Sequence, residues 1–405
     1  MCIIQKQDWV VVCSICEGDH PDQPDDGPIS PYNRDGSLIA WHQEQTDVMT
    51  GHRRRVDGAD ERWKHYSVND IKFDPTSTSF VSSGGDKKVR SWQIEPDSNE
   101  YVQDRVINFQ HKYTHVPHAL AFKPGTRKLA VAEKKIHVYE DYDNSLAHTA
   151  FSVVTNAQEH TVGDMLWGCH STDGLIFASS EPDDVDCFEG FHRAIDVETR
   201  KCYELDSNEA GDSIALTNDG DLLVHTSRGP GGKHPLRLYD VRRKDWRAIK
   251  TVHMEGFQRN IRGEVNSIAI SPDGIYIALG RIDNRVHVYD ARMPAKGVLY
   301  EFEHTGNNLT SPGRPLCGVV RVQWAETEFS RLTLVSGGMD GCVRLWDPLQ
   351  AITSPTNGVI LAQANSDIGD FALGDCTRKE QQLVVGDCSG EVYMFNGSRT
   401  YIRPL

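Results

Sequence analysis

The chain has 405 residues, of which 38% are apolar and 25% charged, and its formal net charge is −15. That composition suits a globular body rich in turns, not a disordered or collagen-like chain. The negative balance argues against direct binding to nucleic acid or an anionic membrane, and no apolar run reaches the roughly 18–20 residues of a spanning helix.

The elements follow in chain order. The opening segment, MCIIQKQDWVVVCSICEGD, carries Asp8 inside its short apolar part, so it reads as strand and not as a signal peptide. Cys2 to Gln5, Trp9 to Ile15 and Ser37 to Trp41 give three strands. An outer strand is missing, and the tail, Arg399 to Leu405, is expected to supply it by joining both chain ends in one sheet. From His65 to Trp92 the chain reads HYSVNDIKFDPTSTSFVSSGGDKKVRSW. Val68, Ile71 and Phe73 mark an inner strand, Asp74-Pro75-Thr76 a turn, and Phe80 to Ser83 the next strand. Gly84-Gly85-Asp86 then turns into a third. Short strands punctuated by Gly, Pro and Asp are what an antiparallel sheet needs.

An aromatic residue closes such a run again and again: Trp41, Trp92, Tyr139, Tyr239, Tyr289, Trp346 and Phe395, with Ile195 filling the one gap. The steps, by subtraction, are 51, 47, 56, 44, 50, 57 and 49 residues. A period of about 40–50 residues is that of a propeller, each repeat being one small sheet. The expected fold is all-β. It is a closed β-propeller of four-stranded antiparallel blades, one domain over residues 1–405, with repeats ending near 41, 92, 139, 195, 239, 289, 346 and 395. Eight blades are favoured. Seven blades with an extra N-terminal strand pair, or a start lying upstream, are the competing counts.

Two segments match in residue type and spacing. Ser82, Asp86 and Trp92 stand four and six apart, as do Ser336, Asp340 and Trp346 in LVSGGMDGCVRLWDP. Here the chain resembles the WD-repeat family, whose blades carry this Ser–Asp–Trp set with a histidine. The resemblance implies His65 for the first copy. A buried aspartate in a tight turn needs donors, and histidine, serine and indole N–H are expected to supply them. Because the set recurs, it defines no single site and is read as structural. Six residues before the closing aromatic stand Asp35, Asp86, Glu133, Asp283 and Asp340. Lys233 and Ser389 break the pattern in repeats five and eight.

Four other features have plain readings. Cys13 and Cys16 form a C-x-x-C with no second ligand pair nearby, so they are expected to be buried structural cysteines. Arg228 to Lys233 lacks the spacing of a phosphate loop and reads as a hairpin connection. Asp183, Asp184 and Asp186 do not meet the calcium-loop pattern. Arg53, Arg54, Arg55, Lys64, Lys87, Lys88 and Arg90 form a candidate basic patch. No catalytic, cofactor-binding or metal-binding set is assigned. Ten dispersed cysteines point to a reduced nuclear or cytoplasmic setting.

The most pointed feature is a pair of endings in consecutive repeats. RLYDVR carries Asp240 and Arg242, and HVYDAR carries Asp290 and Arg292. This resembles the double D-x-R motif of WD-repeat substrate receptors of cullin-RING ubiquitin ligases, with Tyr where those have Trp. The resemblance implies that Arg242 and Arg292 face the ligase adaptor, damage-specific DNA-binding protein one. The expected function is a non-catalytic protein-interaction scaffold. The alternatives are a chromatin-associated reader of histone tails or peptides, and, less favoured, a propeller enzyme, for which no inward acidic constellation is evident.

Overall fold

The computed structural model describes all residues except 17–28, 44, 57–61, 96–99, 110–111, 146, 155–159, 185, 255–264, 311–315, 328–331, 352–353, 355, 396–401 and 405. The acidic, proline-rich stretch after His20 therefore lies largely outside the described residues, as does most of the tail. Among the described residues eight antiparallel blade sheets follow one another along the chain, with strands in sequence order within each except that the seventh adds the tail strand beside its inner strand. The fold is all-β, an eight-bladed propeller of four-stranded sheets. Three blades and a two-stranded hairpin belong to one compact unit, Met1–Ser152 with Arg378–Glu380. Five belong to a second, Val153–Thr377 with Gln381–Leu405.

The first blade has four strands of its own: Cys2–Lys6, Trp9–Cys13, Leu38–His42 and Gln45–Val48. The expectation that the tail completes this blade is therefore wrong. The outer strand QTDV is mostly exposed on both faces, so it has no buried side to impose the alternation by which strands are recognised. The tail strand Ile402–Pro404 instead pairs with Ala325, Glu326 and Thr327 on the inner strand of the seventh blade. The eighth blade has three described strands, Ile368–Leu373, Leu383–Asp387 and Val392–Phe395.

Apolar cores lie between successive blades within each unit. Trp9, Val11 and Leu38 of the first blade meet Ile71, Phe80 and Trp92 of the second. Leu236 and Leu238 of the fifth meet Ile277, Leu279 and Tyr289 of the sixth. The fourth blade, lacking the closing aromatic, buries Ile195 fully in that slot.

A β-bulge interrupts the inner strand at the same place in five blades, before Asp70, Asp164, Ser213, Ser267 and Asp370. A bulge re-aims the side chain that follows it. Asp70 Oδ2 thus accepts from the backbone N–H of Leu120 in the third blade at 2.8 Å. Asp164 Oδ2 accepts from Ile214 N–H in the fifth at 2.8 Å. Ser267 Oγ accepts from Val322 N–H in the seventh at 3.2 Å. Asp370 turns to Arg321 at 3.0 Å. These bonds join blade to blade through polar groups that burial would otherwise leave unsatisfied.

The turn between second and third strands holds the recurring carboxylate. His52, not His65, completes the first set. His52 Nδ1 lies 2.7 Å from Asp86 and Nε2 2.8 Å from Ser82 Oγ, which accepts from Trp92 Nε1–H at 2.8 Å. The seventh blade repeats the chain through His304, Asp340, Ser336 and Trp346, at 2.8, 2.7 and 2.7 Å. The indole thus serves the serine and the serine the histidine, and of these three only the histidine reaches the aspartate. The aspartate also binds an arginine, Arg90 on Asp86 at 2.8 Å and Arg344 on Asp340 at 2.9 Å, and Asp340 further accepts from the Cys342 N–H at 3.1 Å. His65 lies in the hairpin strand Trp63–His65, where its backbone pairs with the Asn33 side chain. That hairpin, with Arg53–Arg55, is inserted between His52 and the inner strand, which displaced the match. The signal was Gly51-His52, the G-H dipeptide of such repeats.

Burial alone would push Asp86 and Asp340 up, but the histidine and arginine partners outweigh it and hold each at about 2. Glu133 in the third blade is likewise held at about 2, with burial opposed by His137, Thr114 and the His115 N–H. The sixth blade pairs Asp283 with the wholly buried Arg281 at 2.5 Å. Elsewhere histidine is kept neutral. Burial drives His192 of the fourth blade down to about 4, where its ring bridges Ser179 and the Glu209 carbonyl.

Three outcomes follow from this architecture. Removing the tail strand should speed amide exchange along Ala325 to Thr327 and leave the first blade unchanged; protection lost from Leu38 to Val48 instead would contradict the strand pairing. His52→Ala and His304→Ala should each cost about 1–3 kcal/mol in chemical unfolding, whereas His65→Ala should stay within about 0.5 kcal/mol. The folded pKa of Asp86 and Asp340 lies below the unfolded value. Their contribution, about 2 kcal/mol each, is therefore fully present above roughly pH 4 and lost as pH falls towards 2. Asp86→Asn should flatten that part of the melting-temperature profile.

Candidate protein-interaction site

The third strand of the fifth blade is His234–Asp240 and that of the sixth is Arg285–Asp290. In both, the chain alternates cleanly as it leaves the sheet. Tyr239 and Val241 are buried, as are Tyr289 and Ala291. The aspartate and arginine between and after them therefore face outward. The same backbone bond fixes both exits: Val241 N–H donates to Asp221 O at 3.0 Å and Ala291 N–H to Ile275 O at 2.8 Å.

Each aspartate then clamps the arginine two residues on. Asp240 accepts from the Arg242 backbone N–H, Nε and Nη2 at 3.2, 2.9 and 2.9 Å. Asp290 accepts from the same atoms of Arg292 at 2.9, 3.0 and 2.9 Å. Arg242 Nη1 also reaches Asp221 at 3.2 Å. Both arginines remain largely exposed, 61% and 66% by side chain. The side-chain hydrogen bond from the arginine holds Asp240 and Asp290 below the usual carboxylate range and raises the arginines. In water such a pair adds little stability. Its effect is orientation: a long side chain is fixed in one pose before any partner arrives, which lowers the entropy lost on binding.

The connections that carry the arginines also expose apolar side chains. Ile249 precedes the fifth blade's outer strand, and Met293, Val298 and Leu299 lie in the sixth blade's connection. The short turn Pro294–Lys296 rests on the strand Lys250–Met254 of the fifth blade, so one surface runs across both blades. The sequence reading missed these four apolar residues. Their signal was position, since large apolar side chains stand in a loop with no strand alternation to bury them.

The remaining candidates fall into place locally. Cys13 ends a strand and Cys16 lies in the following loop; both are buried, and the Cys16 thiol lies 3.4 Å from the Arg34 carbonyl. Pro230–Gly232 is a one-turn connection between Leu222–Arg228 and His234–Asp240, bridged from Gly229 to Lys233. Asp183, Asp184 and Asp186 lie in the connection after the strand Leu175–Pro182, outside any strand. The basic patch does not assemble as expected. Arg90 is buried against Asp86 and Gln103, Lys64 is buried against Tyr66, and Arg53 stacks on Trp63.

A family model described as "WD domain, G-beta repeat" matches residues 62–93, 256–290 and 322–347. These three segments are WD40 repeats. The first and third contain the Ser, Asp and Trp members of the Asp86 and Asp340 networks, whose His52 and His304 lie upstream of the matched segments, and the second ends on Asp290. A solved structure described as "Structure of Dos1 propeller" superposes with a TM-score of 0.73 at 17% identity. The match covers 98% of this chain and 92% of that one. At that identity the likeness establishes the fold alone. WD40 propellers generally mediate protein interactions and are not catalysts.

Proposed function

We propose that this WD40 protein is a non-catalytic scaffold whose docking edge is the third-to-outer-strand connection of blades five and six. The observation that carries the reading is the doubled clamp: Arg242 on Asp240 and Arg292 on Asp290, in the same geometry in neighbouring repeats. Arginine suits such an edge because its planar fork makes paired hydrogen bonds to carboxylates or backbone carbonyls. Exposed Ile249, Met293, Val298 and Leu299 supply apolar area beside it, and interface cores combine these chemistries. In its sharper form the partner is the adaptor of a cullin-RING ubiquitin ligase, with this chain as substrate receptor in the nucleus or cytoplasm. A second reading, a reader of basic histone tails, is favoured by the net charge of −15.

The test is co-purification with the adaptor, damage-specific DNA-binding protein one. Arg242→Ala with Arg292→Ala should weaken adaptor binding by at least about a hundredfold, ~10-fold per arginine, at an unchanged melting temperature. Wild-type protein that captures no adaptor, or a double variant that binds normally, rejects the receptor reading. Retention of a histone-tail peptide by both proteins would favour the second.

A further inference from the structure

Cys317, Asp367 and Cys388 come from three separate parts of the chain and meet in the second unit. Their thiol sulfurs and a carboxylate oxygen lie within 4.8 Å of one another. Cys317 is in the loop leading to the seventh blade's inner strand. Asp367 immediately precedes the eighth blade's inner strand. Cys388 is in the turn between that blade's second and third strands.

Each donor is held by its own surroundings. The Cys317 carbonyl accepts from Asn266 Nδ2 at 2.6 Å. The next residue, Gly318, has φ +59°, and a Cβ there would stand 2.3 Å from the Ile282 carbonyl carbon, so only glycine allows the loop to pass. Asp367 is buried, and its two carboxylate oxygens accept from Ser366 Oγ at 2.8 Å and Thr310 Oγ1 at 3.3 Å. The Cys388 N–H donates to the Asp367 carbonyl at 2.9 Å. Its turn is closed by the buried Asp387 carboxylate, which accepts from the Ser389 and Glu391 N–H groups at 3.0 and 3.1 Å.

The geometry points to a divalent-cation site of the zinc class, with Cys317 Sγ, Cys388 Sγ and the Asp367 carboxylate as ligands. Two thiolates select a borderline-soft ion such as Zn²⁺ over Mg²⁺ or Ca²⁺. Zinc bonds of about 2.3 Å to sulfur and 2.0–2.2 Å to oxygen in a tetrahedron place donors roughly 3.5–3.8 Å apart, inside the 4.8 Å within which these three donors lie. The hydroxyls of Ser366 and Thr310 are the outer partners that orient a ligating carboxylate. Cys388 is exposed, so the fourth position opens to water. On binding, each thiol releases its proton to solvent. The ion would tie the loop entering the seventh blade to the eighth.

The test uses the full chain, reduced and stripped of metal with a chelator, then titrated with Co²⁺ alone. One equivalent should bind with a sulfur-to-cobalt charge-transfer band and tetrahedral visible bands, which Zn²⁺ then removes. Cys388→Ser, at an exposed position, should fold normally and abolish the charge-transfer band, as should Cys317→Ser. Asp367→Asn should lower cobalt affinity at least about tenfold, and Cys202→Ser should change nothing. Zn²⁺ should raise the melting temperature of wild type but not of Cys388→Ser. The site is overturned by a wild type without a thiolate band, by a band that survives Cys388→Ser, or by unchanged affinity in Asp367→Asn. It is equally overturned if the two cysteines form a disulfide in air while the reduced protein binds no cobalt.

Discussion

A carboxylate buried in a sheet must be saturated with donors, and this requirement organises the molecule. Leaving one unpaired would cost several kcal/mol, so each buried acid recruits partners from other strands. At the turn between second and third strands the acid gathers a histidine and an arginine, which fixes the register of the blade. At the bulge of the inner strand it reaches the backbone of the next blade, as Asp70 does with Leu120 and Asp164 with Ile214. The apolar contacts between blades supply most of the burial, but they are not directional. The acids decide how the sheets are aligned.

The same requirement accounts for the variation among repeats. The acid slot persists in Asp86, Glu133, Asp283 and Asp340, while its partners change to His52, His137, Arg281 and His304. The fifth blade, with Lys233 at that position, instead holds the half-buried Arg237 against Glu209, Ser207 and Ser227. These exchanges keep each acid neutralised while letting the outer surface of each blade differ.

Function, in this reading, uses the same chemistry turned outward. Arg242 and Arg292 are themselves exposed and are posed by half-buried aspartates; solvent removes most of the stability such pairs would bring but leaves their geometry. At Cys317, Asp367 and Cys388 the buried acid already accepts from two hydroxyls, and the two thiols beside it are the donors that the proposed ion would add to it. The two surfaces lie on different blades of the second unit and make separate demands on a partner.

The sequence by itself determined the repeat and the all-β class, and it favoured eight blades over seven. The reason is local: strand alternation, turn residues and the Ser–Asp–Trp spacing sit within about thirty residues of one another, and the inner strand Val68–Phe73 is legible from its pattern. It also singled out Asp240, Arg242, Asp290 and Arg292, because their clamp spans only two residues. What depended on distance was hidden. His52 was separated from its aspartate by an inserted hairpin. The outer strand of the first blade had no buried face to mark it, and the tail paired with the seventh blade, not the first. Cys317, Asp367 and Cys388 share no spacing at all. Only the tertiary structure decides such meetings, because they are set by which turns the packed sheets bring together and not by any periodicity along the chain.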